Sequence, residues 1–291
     1  MTNTKQAQSK EQEWSAVIKN FYDLLPFNFK GSVETHAQGI LSSNSVLNYP
    51  MLPTLLGKGK ASVLEIGCGA GWLSNSISHY YSNPVTAIDL SSTAITRAKD
   101  VAQNLGLNVN FQMENLFKFE PKQRYDLVVS LGVLHHTGDC EGALARICNE
   151  FIGPNGYALI GLYHSYGRAP FLKHFAGLRE GGASDQELLQ EYGKLHANTA
   201  DSTHLDSWFR DQVLHPYETQ HSLKEICGLL DTLEMELMAT SINGFQPFDD
   251  RDTLFLMEKT YAEKSVKRLK KNEFFPGFFV FLAKKRQKTL A

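Results

Sequence analysis

From residue 61 onward the chain alternates short apolar runs with amphipathic stretches. The runs Ser62–Ile66, Pro84–Leu90, Val109–Asn115, Tyr125–Leu131 and Tyr157–Tyr163 are five to seven residues long. That is strand length, too short for a buried helix, and turn-forming residues separate them. Between them Trp72–Tyr81, Ser91–Leu105 and Cys140–Phe151 repeat apolar residues at helical spacing, and Gly153-Pro154-Asn155-Gly156 stops the last. Strand, helix, strand in that order predicts parallel strands joined by crossover helices: an α/β, doubly wound, mostly parallel sheet with helices on both faces. Ligands of such sheets sit outside the carboxyl ends of the strands.

The flanks follow other rhythms. Residues 1–12 are polar and read as a disordered lead. Trp14, Val17, Ile18, Phe21, Leu24 and Leu25 recur at helical spacing up to Pro26, and a second helical stretch is expected over Ser43–Leu56. The segment from Ser165 to Tyr217 is rich in Gly, His, Asp and Ser and predicts an insertion over the carboxyl edge, with one short helix near Gln186–Tyr192. After it come an expected helix Ser222–Leu233, strand Met235–Ile242, helix Leu254–Leu269 and strand Gly277–Lys284. The resulting division is a lead 1–12, a helical cap 13–58, a ligand-binding core 59–164, a lid 165–221 and a completion of the sheet 222–291.

The richest stretch is Val63-Leu64-Glu65-Ile66-Gly67-Cys68-Gly69-Ala70-Gly71-Trp72, a strand running through a glycine loop into a helix. Its spacing is G-x-G-x-G, so Trp72 stands where a dinucleotide fingerprint needs its third glycine. Glu65 would repel a pyrophosphate at this helix start and suits an ammonium group instead. Asp89, at the end of the second run, can accept hydrogen bonds from both hydroxyls of a ribose. A nucleoside with a cationic amino-acid tail meets both demands, and S-adenosylmethionine is such a molecule.

With VLEIGCGAGWLS, VTAIDLSSTAITRAK, NFQMENL, YDLVVSLGVLHHTGD and the strand after GPNGY in this order, residues 61–164 resemble the class I S-adenosylmethionine-dependent methyltransferases. The resemblance implies a Rossmann-like sheet. It implies that Glu65, Gly67, Gly69, Gly71 and Asp89 bind the cofactor, that Asn115 faces adenine where many relatives carry Asp, and that Leu90, Leu116 and Leu131 complete the site. S-adenosyl-L-homocysteine would be the product.

Methyl transfer from a sulfonium needs alignment and exclusion of water, and a base only when the acceptor must lose a proton. Candidates for that base or for positioning are His135 and His136, past the fourth strand, and His215 and His221, where the insertion rejoins the body. His215, Glu218 and His221 form H-x-x-E-x-x-H, whose six-residue histidine spacing turns the two to different faces of a helix, so no metal is expected. Tyr22, Tyr163, His164 and Trp208 are expected to line the acceptor pocket. Trp14 and Phe21 read as core.

Composition changes the picture little. Four cysteines, Cys68, Cys140, Cys148 and Cys227, lack metal or disulfide spacing, and neither a signal peptide nor an apolar run of membrane length is present, so a cytoplasmic protein is expected. The net charge of −2 conceals an asymmetry. From Lys264 on, nine basic residues face only Glu273, a tail of +8 on a body of −10. Aromatic interleaving is missing from it, which favours a small-molecule acceptor over a nucleic acid. The competing readings are a non-catalytic binder of the cofactor, acting as a sensor or partner subunit, and an RNA-directed methyltransferase using the basic tail.

Overall fold

The computed structural model describes residues 14–28, 31–57, 59–196 and 201–286. The expected disordered lead therefore lies outside the described residues. Helix α1 covers residues 14–24, followed by α2 (Val33–Ser42) and α3 (Leu52–Leu56). The alternating core then gives β1 (Val63–Ile66), α4 (Trp72–Tyr81), β2 (Val85–Asp89), α5 (Ser92–Asn104), β3 (Asn110–Met113), β4 (Tyr125–Leu131), α6 (Cys140–Arg146) and β5 (Ile152–Tyr163). Helices α7 (Ser165–Glu180), α8 (Asp185–Lys194) and α9 (Ser202–Phe209) precede α10 (Leu223–Thr232), β6 (Met235–Thr240), α11 (Arg251–Lys259), α12 (Tyr261–Leu269) and β7 (Phe278–Lys285).

Among the described residues seven strands form one sheet in the order β3-β2-β1-β4-β5-β7-β6, with β7 antiparallel to both its neighbours and the others parallel. All four residues of β1 are buried, as expected of a central strand covered on both faces. One face packs Leu64, Ile66, Val128 and Ile160 against α6 and α10; the other packs Val63, Val85, Leu127 and Val129 against α4 and α5. The order reverses between β1 and β4, opening the crevice in which such sheets hold ligands.

Four expectations need correction. The segment after β5 is helical: α7 runs 16 residues and carries Pro170 inside it, past the first turn, at the loss of one backbone hydrogen bond. Its glycines and histidines mask an apolar stripe, with Phe171, Phe175, Leu188, Tyr192 and Phe209 forming a separate small core. α2 was not anticipated; Ser32 caps it by accepting from Thr35 N. The expected helix over Leu254–Leu269 breaks at Thr260 into two. Finally, β5 begins at Ile152, opposite Tyr125, and resumes regular pairing at Tyr157, so the Gly-Pro-Asn-Gly turn bulges within the strand.

Candidate active site

The glycine loop sits at the carboxyl end of β1, and each glycine has its own reason. Gly67 (φ +71°) allows Val133 to approach: a Cβ there would lie 2.2 Å from Val133 Cγ2. Gly71 (φ +81°) starts α4 against Ala98 and Phe111. Gly69 (φ +51°) faces open space, with nothing among the described residues within 4 Å of where a Cβ would be, so a ligand can reach the backbone there. Gly132, past β4, is equally open at φ +78° and was missed in the sequence.

Two buried carboxylates flank this loop. Asp89 accepts from Gly69 N and Ser91 N, each at 2.8 Å, one on each oxygen. A lone pair on each oxygen stays available for a diol. Burial raises its pKa while these N–H groups oppose the rise. Glu65 takes a hydrogen bond from Ser74 Oγ, and burial pushes its pKa up to about 7. Cys68 lines the same cavity, with burial raising its thiol pKa, so it acts as a small inert wall residue.

These residues edge a cavity of about 600 Å³, within the usual range for small-molecule sites. Gly67, Leu90, Asn115, Leu116 and Leu131 also line it. Asn115 Oδ1 accepts from Phe117 N at 2.7 Å and its amide donates to Ser15 on α1. Helix α1 closes this side: Asp23 accepts from Ser92 N at 2.8 Å, Ser91 Oγ donates to Tyr22 O, and Ile18 and Tyr22 face inward.

The opposite wall comes mainly from the segment between β5 and α10. After α9 the chain takes a π turn, Arg210–Leu214, that buries Asp211 and Gln212. Such wide turns recur at functional sites. Asp211 receives Tyr22 Oη at 2.6 Å, Tyr163 Oη at 3.1 Å and Gln212 Nε2 at 2.9 Å. Burial raises its pKa, against those hydrogen bonds and the nearby Arg168. Arg168, with no exposed surface, donates to both Glu218 oxygens (3.0 and 2.7 Å), to Gln212 Oε1 (2.9 Å) and to Gln212 O (2.6 Å). Its guanidinium lies 4.1 Å from the centre of the Tyr163 ring. This network is fully partnered, as a buried cation requires.

The histidines separate sharply. His136 lines the cavity; its Nδ1–H donates to Tyr217 O at 3.0 Å, which fixes a lone pair on Nε2. Burial lowers its pKa to about 3. His135 and His215 do not line the cavity. His135 Nδ1 accepts from Tyr163 N, and His215 Nδ1 accepts from Tyr217 N while its ring packs 3.7 Å from that of His136. His221 also lies off the cavity, beside Thr219 Oγ1 at 2.8 Å.

His164 is a clearer correction. It caps α7 by accepting from Gly167 N, and its Nε2–H donates to Glu258 Oε2 at 3.0 Å, so it serves the fold and not the pocket. The H-x-x-E-x-x-H run is extended, not helical, and its three side chains point to different partners. Among the described residues no group of three or more metal-ligating side chains converges.

Of the expected pocket residues, Tyr22, Tyr163 and Trp208 line the cavity. Asp211 was missed. Its signal was Trp208, Asp211 and His215 at helical spacing, a charge on the inward stripe of a helix. Arg168, in Gly-Arg-Ala-Pro, had no such signal.

Residues 58–191 match the family model of the methyltransferase domain. An uncharacterized protein of Synechococcus sp. is 26% identical over 218 residues, 67% of this chain and 50% of that protein. A ubiquinone biosynthesis O-methyltransferase of Coxiella burnetii is 33% identical over 100 residues, 34% of this chain and 42% of that enzyme. The chain thus spans half or less of the length of these relatives. PKMT2 from Rickettsia typhi in complex with AdoHcy superposes with a TM-score of 0.58 at 17% identity, over 83% of this chain and 55% of that one, a likeness of fold. Residues 58–191 thus match a methyltransferase domain, and the glycine loop at β1, Asp89 at β2 and the sheet order with its antiparallel β7 agree with the fold shared with PKMT2.

Proposed function

We propose that the chain is an S-adenosylmethionine-dependent methyltransferase acting on a small or medium-sized acceptor held between the glycine loop and the wall around Asp211. The observation that carries this reading is one cavity bounded by two unlike walls: Glu65, Gly69 and Asp89 on one side, Tyr22, Tyr163, His136 and Asp211 on the other. Glu65 would hold the ammonium group, Asp89 the ribose hydroxyls and Asn115 the adenine edge, with Leu90, Leu116 and Leu131 as apolar walls. The bound cofactor supplies an electrophilic methyl group on a sulfonium. The chain contributes alignment, exclusion of water by α1 and α9, and a proton acceptor near the acceptor molecule. The Coxiella relative, named for O-methyl transfer, supports transfer to a small molecule. The basic tail gives little support to a nucleic-acid acceptor, since Lys267, Arg268 and Arg286 pair with Glu263, Glu273 and Asp231, and Lys285 donates to Cys148 O.

Calorimetry with S-adenosylhomocysteine tests the cofactor site, and absence of binding overturns the reading. Isotopically labelled cofactor incubated with fractionated metabolites tests the transfer. Binding without any labelled product favours the non-catalytic sensor. Residues 13–30 and 165–217 are proposed to act as a lid; equal rates of proteolysis there with and without S-adenosylhomocysteine would remove that role.

A further inference from the structure

We propose that the acceptor is an uncharged molecule with a flat apolar frame carrying a hydroxyl group, and that this hydroxyl donates its one hydrogen to His136 Nε2, beside Asp211. The proposal rests on the methyltransferase reading and names the substrate class of the same cavity.

The place for the hydroxyl is defined by a missing donor. His136 Nε2 and Asp211 Oδ1 stand 3.8 Å apart, both side chains almost wholly buried. The hydrogen bond from His136 Nδ1 to Tyr217 O leaves Nε2 a lone pair, and among the described residues that atom has no hydrogen-bond partner. Among the described residues Asp211 Oδ1 accepts from Tyr22 Oη alone. A buried acceptor without a donor is unfavourable, and one hydroxyl hydrogen arriving at His136 Nε2 relieves it while Asp211 Oδ1 keeps the bond from Tyr22. His135 and His215 differ here, because each accepts a backbone N–H at Nδ1 and so carries its own hydrogen on Nε2.

Charge narrows the class. Among the described residues the cavity is lined by the carboxylates Glu65, Asp89, Glu114 and Asp211 and by no lysine or arginine. Arg168, close behind Tyr163, is already committed to Glu218 and Gln212. A carboxylate or phosphate on the acceptor would therefore enter a negative cavity without a counter-charge. An ammonium would be welcomed by Asp211 but would keep its proton, because burial makes His136 a weak base, and a protonated nitrogen has no lone pair for methyl. A hydroxyl escapes this conflict: it donates its hydrogen and keeps its lone pairs. The stacked pair Phe27 and Trp208, 5.7 Å between ring centres, with Phe274 at 6.2 Å from Trp208, supplies the apolar walls for a flat frame.

The step balances. The hydroxyl oxygen forms a bond to the methyl carbon as the carbon–sulfur bond breaks, its electron pair staying on sulfur as a neutral thioether. The hydroxyl proton, strongly acidic once the oxygen carries a third bond, passes to His136 Nε2. Asp211 steadies the resulting imidazolium until the proton leaves with the product.

The test is methyl transfer from labelled S-adenosylmethionine to three matched sets: catechol, 2-methoxyphenol and methyl 4-hydroxybenzoate as neutral phenols; 4-hydroxybenzoate and phenyl phosphate as anions; tyramine and benzylamine as cations. The expected result is ether formation on at least one neutral phenol, with kcat/KM at least about 100-fold above that of every anion and every amine. Asp211→Asn should lower kcat about 100-fold while S-adenosylhomocysteine affinity stays within about 3-fold. Tyr22→Phe, which removes one hydroxyl, should lower kcat/KM about 10-fold with the same retained affinity, so the proposal stays testable should the first variant misfold. Preference for an anion or an amine, methyl on carbon or nitrogen, or no product from any neutral phenol while S-adenosylhomocysteine binds, would each overturn it. Loss of cofactor binding in the unmodified protein would instead overturn the methyltransferase reading beneath it.

Discussion

The two walls of the cavity are built in opposite ways. The wall proposed for the cofactor comes from consecutive strand ends, and its carboxylates are satisfied by groups beside the loop: Asp89 by the N–H groups of Gly69 and Ser91, Glu65 by the hydroxyl of Ser74. The wall proposed for the acceptor joins residues far apart in the chain: Tyr22 reaches Asp211 across 189 positions, and Arg168 reaches Glu218 across 50. The first is fixed by local geometry, the second by packing of residues 165–221 against α1 and the sheet. Changes at the cofactor wall should therefore alter binding, and changes at the acceptor wall should alter turnover with binding preserved.

The largest effect is expected at Gly67. Gly67→Ala places a methyl against Val133 and holds a side chain at φ +71°, so S-adenosylhomocysteine affinity should fall at least about 100-fold, with a stability loss of about 2 kcal/mol in denaturant titration. Gly69→Ala sharpens the point: its Cβ meets nothing among the described residues, so stability should drop by only about 1 kcal/mol while calorimetry shows affinity down about 30-fold. Equal losses in both measurements at Gly69 would break the claim that this glycine serves the ligand and not the fold.

Tyr163→Phe is the next test, at the other wall. Removing the hydroxyl that donates to Asp211 should cut kcat about 10-fold and leave cofactor affinity unchanged; a loss in affinity alone would merge the two walls into one. A smaller effect follows from Glu65. An ammonium prefers its ionised form, and burial sets the carboxyl near 7, so affinity for S-adenosylhomocysteine should rise between pH 6 and 8 and level off above. The predicted gain is about 10-fold, accompanied by proton release on binding at pH 6, and Glu65→Gln should flatten the profile. Least of all should change in the tail: Lys267→Glu and Lys271→Glu together should leave turnover within about 2-fold.

Much of the first wall is legible in the sequence because short-range rules specify it. The apolar run before Gly67, the spacing of three glycines and the acid closing β2 each have a local cause, so reading them needs no knowledge of distant contacts. The second wall is not legible in this way. Trp208, Asp211 and His215 repeat at helical spacing, yet only the π turn after α9 sends Asp211 inward, and nothing local links it to Tyr22. His164 shows the converse. Its position past a strand suggested the pocket, but Gly167 N and Glu258 claim both ring nitrogens.

By itself, the sequence determined the doubly wound core, the order of its strands and helices, and the residues proposed to hold the cofactor, because periodicity, glycine geometry and buried charge act over a few residues. The tertiary structure decided which histidine faces the cavity, which carboxylate stands beside it and where the insertion forms helices. Those outcomes depend on hydrogen-bond partners brought together from opposite ends of the chain, and partner identity fixes the tautomer of an imidazole and the burial of a carboxylate.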